Sequence, residues 1–190
     1  MNEPFADGAI RKLWIGEADL YRAHLLRLDT ASRHSRFGDA VSDEFVSEYV
    51  AMSLNLDAII HGFFVEGTLR GAAELRTLGS AFAHEAEVAF SVETPWQSHG
   101  IGSALLDRTL LAARNRGIRF LHIACLADNR RMQELARKFD AELRFDFGSV
   151  VGAVEAPRPT PLSVLRELVA DSHGFATAML DVQSRLLKPV

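Results

Sequence analysis

The stretch Trp96-Gln97-Ser98-His99-Gly100-Ile101-Gly102-Ser103-Ala104-Leu105-Leu106 restricts what this chain can fold into more than any other. It joins a strand-like run over residues 86–93 to a strongly helical run over 102–116. A short loop with two glycines at a helix N-terminus leaves several backbone N–H groups without an intrahelical partner. With the positive end of the helix dipole, they favour a phosphate or pyrophosphate. Gly100 and Gly102 carry no Cβ to hold a ligand off the backbone, and glycine permits the left-handed turns of a phosphate nest. The loop reads as an anion cradle.

The cradle is not a P-loop, because no Gly-Lys-Ser/Thr follows the glycines. The dinucleotide pattern G-x-G-x-x-G is partly met. Leu105 stands where the third glycine would allow close helix–strand packing, while Asp128 after the next strand is available as a ribose carboxylate. What precedes the loop is a series of short strands with tight turns, not the opening of a βαβ domain.

Gln97-Ser98-His99-Gly100-Ile101-Gly102 also fits Q/R-x-x-G-x-G/A, and here the chain resembles the GNAT superfamily of acyl-CoA-dependent N-acetyltransferases. Ala86-Glu87-Val88 resembles the start of that family's fourth strand. Val92, five residues before Gln97, falls where the family's strand splays and offers backbone groups to pantetheine. Asp128-Asn129, Leu135 and Lys138 resemble the family's N-x-x-x-x-x-L-Y-x-K helix, with Ala136 in place of the tyrosine. The resemblance spans residues 58–154. It implies a mixed α/β fold: a mainly antiparallel sheet flanked by helices on both faces. It further implies acetyl-CoA as cosubstrate, held by Phe90, Ser91, Val92, Gln97, Ser98, His99, Gly100, Ile101, Gly102, Ser103 and Asn129, with no metal.

Composition narrows the class. A net charge of −4 leaves no electrostatic footprint for nucleic acid or acidic membranes. The single cysteine, Cys125, excludes an intramolecular disulfide and a multi-cysteine metal site. No H-x-x-x-H, H-x-H or carboxylate cluster suggests a metal. Residues 1–12 lack the apolar run of a secretory leader, so a cytoplasmic location is expected.

Apolar spacing predicts helices over 18–28 and 42–53, then short strands over 59–65 and 71–78 around a hairpin. Further elements are expected as a strand over 118–126, a helix over 129–139 and a strand pair within 141–154. Residues 1–155 are expected to form the acyl-CoA-binding domain. Residues 156–190 then form a Pro-rich linker and a helical tail, broken near Ser172-His173-Gly174. In that tail Leu165, Leu168, Phe175, Met179, Val182 and Leu186 make a heptad-like seam, either laid against the domain or making a homodimer contact. Arg33-His34-Ser35-Arg36-Phe37, between the first two helices and bordering the acceptor side, reads as a solvated loop ahead of a guanidinium pair that holds an acidic acceptor.

Acyl transfer to an amine needs a neutral nucleophile, a polarised thioester carbonyl and a departing thiolate. A lysine-like amine has a pKa of about 10.4, so a base or a pKa-lowering pocket is required. Glu87 stands where the resemblance places that base; the competing reading is a solvated strand face shared with Glu85. The acceptor is a primary amine, on a small molecule or a protein lysine. With Ala136 replacing the family tyrosine, the acid for the thiolate is left to water, Tyr49 or no group at all. Three functions stay open at this stage: an N-acetyltransferase, a noncatalytic acyl-CoA-binding regulatory module, and a Rossmann-type nucleotide binder.

Overall fold

A computed structural model of the protein describes residues 8–55, 58–79 and 84–187. Its strands are β1 (Ala9–Lys12), β2 (Ile59–Val65), β3 (Thr68–Thr77), β4 (Glu85–Val92), β5 (Phe120–Leu126), β6 (Glu142–Asp146) and β7 (Ser149–Glu155). Its helices are α1 (Ala18–Arg27), α2 (Thr30–Phe37), α3 (Asp43–Asn55), α4 (Ile101–Asn115), α5 (Arg130–Lys138) and α6 (Pro161–Leu187). The seven strands form one sheet in the order β1-β2-β3-β4-β5-β7-β6, and only the β4–β5 pair is parallel. A doubly wound dinucleotide fold needs a largely parallel sheet, so this topology removes the Rossmann alternative.

Helices cover both faces, which is why β2 reads as a nearly unbroken apolar run and β3, despite Arg70, Glu74 and Arg76, is buried or half-buried along nearly all of its length. On one face α4 buries Ile101, Leu105, Leu106 and Ala113 against Ala73, Leu75, Ala86, Val88 and Phe90. On the other, Tyr21, Leu25, Val46 and Val50 from α1 and α3 pack on Ile60, Phe64, Leu69 and Ala72. The β2–β3 turn is Glu66-Gly67, both with positive φ (49° and 72°), the geometry that two-residue hairpins favour.

The tail differs from expectation. α6 is one continuous helix through Ser172, His173 and Gly174, packed on β1 and α4. Gly174 is buried there, and a Cβ on it would lie 3.0 Å from Arg11 Cβ. Its role is close approach to β1, not helix termination. The stripe turned inward is small and polar (Ser163, Glu167, Gly174, Ala178), held by Asn115 and Arg116 on Glu167 at 2.7 Å each. The apolar seam faces outward: Leu165, Leu168, Phe175, Met179 and Val182 are all exposed. The side chain of Leu186 lies outside the described residues.

Candidate active site

The parallel pairing of β4 with β5 runs only from Glu85↔Phe120 to Glu87↔His122. Beyond Glu87 the strands part, while β4 stays paired with β3 as far as Val92. Backbone groups in an antiparallel pair point alternately toward and away from the partner. Glu85 C=O accepts from Leu78 and Glu93 N–H donates to Arg70, so odd-numbered β4 residues bond to β3. Val88, Phe90 and Val92 therefore direct their N–H and C=O groups into the gap. The Val92 C=O already takes a 2.8 Å hydrogen bond there from Gln97 Nε2.

The gap opens into a cleft of about 1020 Å³ between β4, β5, α2, α5 and the glycine loop. Glu87, Phe90, Ser91, Val92, Gln97, Ser98, Gly100, Gly102, Ser103 and Asn129 all line it, so most of the residues singled out in the sequence converge on one site. Two are placed differently. Ile101 is buried in the core beneath the loop, and His99 is exposed on the loop outside the cleft lining.

The loop has the conformation of an anion nest. Ser98 (φ 65°) and Gly100 (φ 83°) are both left-handed, and Gly100 caps α4 with no side chain on the free N–H groups. A Cβ on Gly102 would meet only Leu135 Cδ2, at an ordinary 3.4 Å. Internal packing does not require a glycine there; the space its Cβ would take belongs to the cleft. Arg131 and Lys138 of α5 supply cations across the loop, on Gln97 Oε1 and on Ser103 Oγ (3.1 Å) respectively. Asn129 is the N-cap of α5, accepting from Met132 N–H at 3.1 Å.

The opposite wall is α2, which the sequence left as loop. No residue of α2 is buried, so it has no apolar period to read. Its ends are nevertheless well defined. Asp29 accepts from Ser32 N–H at 2.7 Å, and Gly38 stops the helix in the left-handed conformation. Nor are its arginines free: Arg33 pairs with Asp43 (2.6 Å) and Arg36 with Glu74 (2.8 Å).

Two buried carboxylates organise this side of the sheet. Glu74 accepts from Tyr21 (2.7 Å), Tyr49 (2.6 Å), Arg36 (2.8 Å) and Arg76 (2.6 Å). Burial alone would raise its pKa; Arg36 and the hydrogen bonds outweigh it and hold the carboxyl below its ordinary range. Burial raises the pKa of Tyr49, whose hydroxyl is committed to Glu74, and Tyr49 is not among the cleft-lining residues. That removes it as the thiolate's acid.

The second carboxylate, Glu93, accepts from Arg27 (2.9 Å) and Arg70 (2.9 Å) and faces His24 Nδ1 at 3.2 Å. Burial opposes ionisation, but His24, Arg70 and Arg27 together bring its pKa down to about 2. His24 is fully buried, and burial lowers its pKa despite Glu93. Its Nε2 lies 2.9 Å from Ser91 Oγ. In the sequence His24 is simply one position within the helix expected over 18–28. The available signal was Tyr21 and His24 three residues apart, two polar-tipped rings on the buried side of α1.

Cys125 lines the β5 side of the cleft, where burial and Asp128 raise its thiol pKa. Glu87 is exposed, lines the cleft and accepts no hydrogen bond from the described residues. No group of three or more metal-ligating side chains occurs among the described residues.

The sequence matches the acetyltransferase (GNAT) family over residues 23–141. The chain belongs to that family. Its fold is shared with the GNAT domain of S. lividans PAT (23% identity, TM-score 0.68, 78% of this chain and 90% of that one). It is also shared with yncA, a putative acetyltransferase from Salmonella typhimurium with its cofactor acetyl-CoA (15%, 0.60, 81% and 96%). RimL, a ribosomal L7/L12 alpha-N-protein acetyltransferase in complex with coenzyme A, is a third such structure (18%, 0.63, 80% and 97%).

Proposed function

We propose that the protein is an N-acetyltransferase that moves the acetyl group of acetyl-CoA directly to a primary amine. The observation that carries the reading is the parting of β4 from β5 beyond Glu87, opening onto a glycine loop with left-handed residues at 98 and 100. The loop N–H groups, with Arg131 and Lys138, suit the pyrophosphate. The Phe90 and Val92 amides suit pantetheine and the thioester carbonyl, which they would polarise as oxyanion donors. Asn129 borders the same channel.

Glu87 takes the amine's proton, directly or through water. Its exposed carboxylate has lone pairs free for that purpose, and it shares a strand face with Ala89 and Ser91, toward the α2 wall. The acceptor is a small-molecule amine or a protein lysine. A cytoplasmic location and a homodimer contact through α6 belong to the same proposal. The outward apolar stripe from Leu165 to Val182 supports the second, a second copy being its occupant, and sedimentation of the purified protein tests it.

The experiment is release of CoA thiol from acetyl-CoA across a panel of primary amines. Amine-dependent release, lost in Glu87→Gln with CoA binding retained, supports the enzyme. Tight CoA binding with no turnover on any amine transfers the site to a noncatalytic acyl-CoA-binding module, the reading favoured by Ala136 in place of the tyrosine.

A further inference from the structure

Ser91, His24 and Glu93 stand in hydrogen-bonded series, and their proton arrangement follows from chemistry. Glu93 is held by two arginines and can only accept, so His24 Nδ1 carries the hydrogen directed at it. The ring is fully buried and neutral, leaving a lone pair on Nε2. Ser91 O–H is therefore the donor in the 2.9 Å contact with Nε2. A hydroxyl polarised by a neutral imidazole, with a carboxylate fixing the tautomer, is the arrangement that activates serine nucleophiles on unrelated folds.

Position adds to polarity. Ser91 lines the cleft, although only 6% of its surface is exposed. Its two neighbours in sequence, Phe90 and Val92, aim their amides into the gap where a thioester carbonyl would be polarised. Resting on the acyl-CoA reading of this cleft, we infer that Ser91 is an acyl-accepting nucleophile and gives the protein a second activity, amine-independent hydrolysis of acetyl-CoA through an acyl-serine.

Ser91 Oγ adds to the thioester carbonyl carbon while its proton passes to His24 Nε2. The C–S bond breaks, and the departing sulfur takes that proton from Nε2. His24 thus supplies the acid that the Ala136 position lacks. Arg27 and Arg70 share the Glu93 charge and leave the imidazolium only partly compensated, which favours prompt transfer to sulfur over a stored proton. Water then attacks the ester carbonyl and gives a proton to Nε2. The C–O bond breaks, the proton returns to Oγ, and acetic acid leaves, giving its remaining proton to solvent as acetate.

The test incubates the protein with acetyl-CoA without amine, follows free thiol, and maps the acid-quenched protein by mass spectrometry. CoA binding is measured by calorimetry in parallel. Expected are steady thiol release and one acetyl group on the peptide containing Ser91. In Ser91→Ala the adduct disappears and release falls at least about a hundredfold, while the protein stays folded and still binds CoA saturably. Ser91→Cys, retaining a nucleophile, keeps the adduct as a thioester. Wild-type release rates in Ser91→Ala, or no acetyl group at Ser91 in a protein that binds CoA, would overturn the inference and leave the triad as a tie between α1 and β4. Absence of CoA binding would overturn it together with the acetyl-CoA reading.

Discussion

Glu74 and Glu87 lie on the same face of neighbouring strands, β3 and β4, and have opposite surroundings. Glu74 is 2% exposed and accepts from two tyrosines and two arginines. Glu87 is exposed at the mouth of a cleft and accepts from none of the described residues. A carboxylate saturated with donors is fixed in charge and serves the fold; one with free lone pairs beside a channel can exchange a proton.

The largest effect expected breaks the comparison from the structural side. Glu74→Ala leaves the Arg36 guanidinium buried without its anion, and should cost about 3–5 kcal/mol in denaturant unfolding. A loss below about 1 kcal/mol would show that the four donors are not anchored on this carboxylate.

Acid comes next, through the third carboxylate, Glu93. Its folded pKa of about 2 lies below the ordinary 4.5, so its stabilisation is complete above the higher value and lost as pH falls toward the lower. His24 works in the same direction: buried neutral with a lowered pKa, it favours the fold above 6.5 and opposes it as pH drops below that. Thermal unfolding should show a plateau above neutrality and a progressive decline on acidification. The stability gap to Glu93→Gln should narrow between about pH 4.5 and pH 2; a pH-independent gap would contradict the ionised Glu93.

Glu87→Gln sharpens the contrast from the chemical side. Amine-dependent turnover should fall by at least about a hundredfold, with unfolding free energy within about 0.5 kcal/mol of wild type. A smaller and subtler result is expected at Gly102→Ala. An added Cβ in the first turn of α4 meets only Leu135 at 3.4 Å and favours the helix, so stability should rise by about 0.5–1 kcal/mol while CoA affinity drops. Stabilisation with unchanged CoA affinity would remove the cradle from the binding surface.

These contrasts also explain what could be read from the chain alone. α4 and its loop were legible because Ile101, Leu105 and Leu106 repeat at helical spacing behind a glycine pattern. β4 announced itself by alternating Glu85, Ala86, Glu87 and Val88. The wall facing them was not legible. α2 buries no residue and therefore has no period, and the Glu74 and Glu93 networks join residues up to 69 positions apart, which no local pattern encodes. In α6 the apolar seam and the buried stripe proved to be different faces. Close approach to β1 needs Gly174, Ala178 is buried on the same inward stripe, and polar pairs such as Arg116–Glu167 fix the helix. Hydrophobic spacing gave the helix and not its orientation.

The parted strands and the nest above them carry the functional account, and calorimetric titration with CoA and acetyl-CoA, with NAD as control, tests them most directly. Saturable binding of both CoA species, with NAD silent, is the predicted result. A folded protein that binds neither CoA species, or that binds NAD in their place, would contradict it.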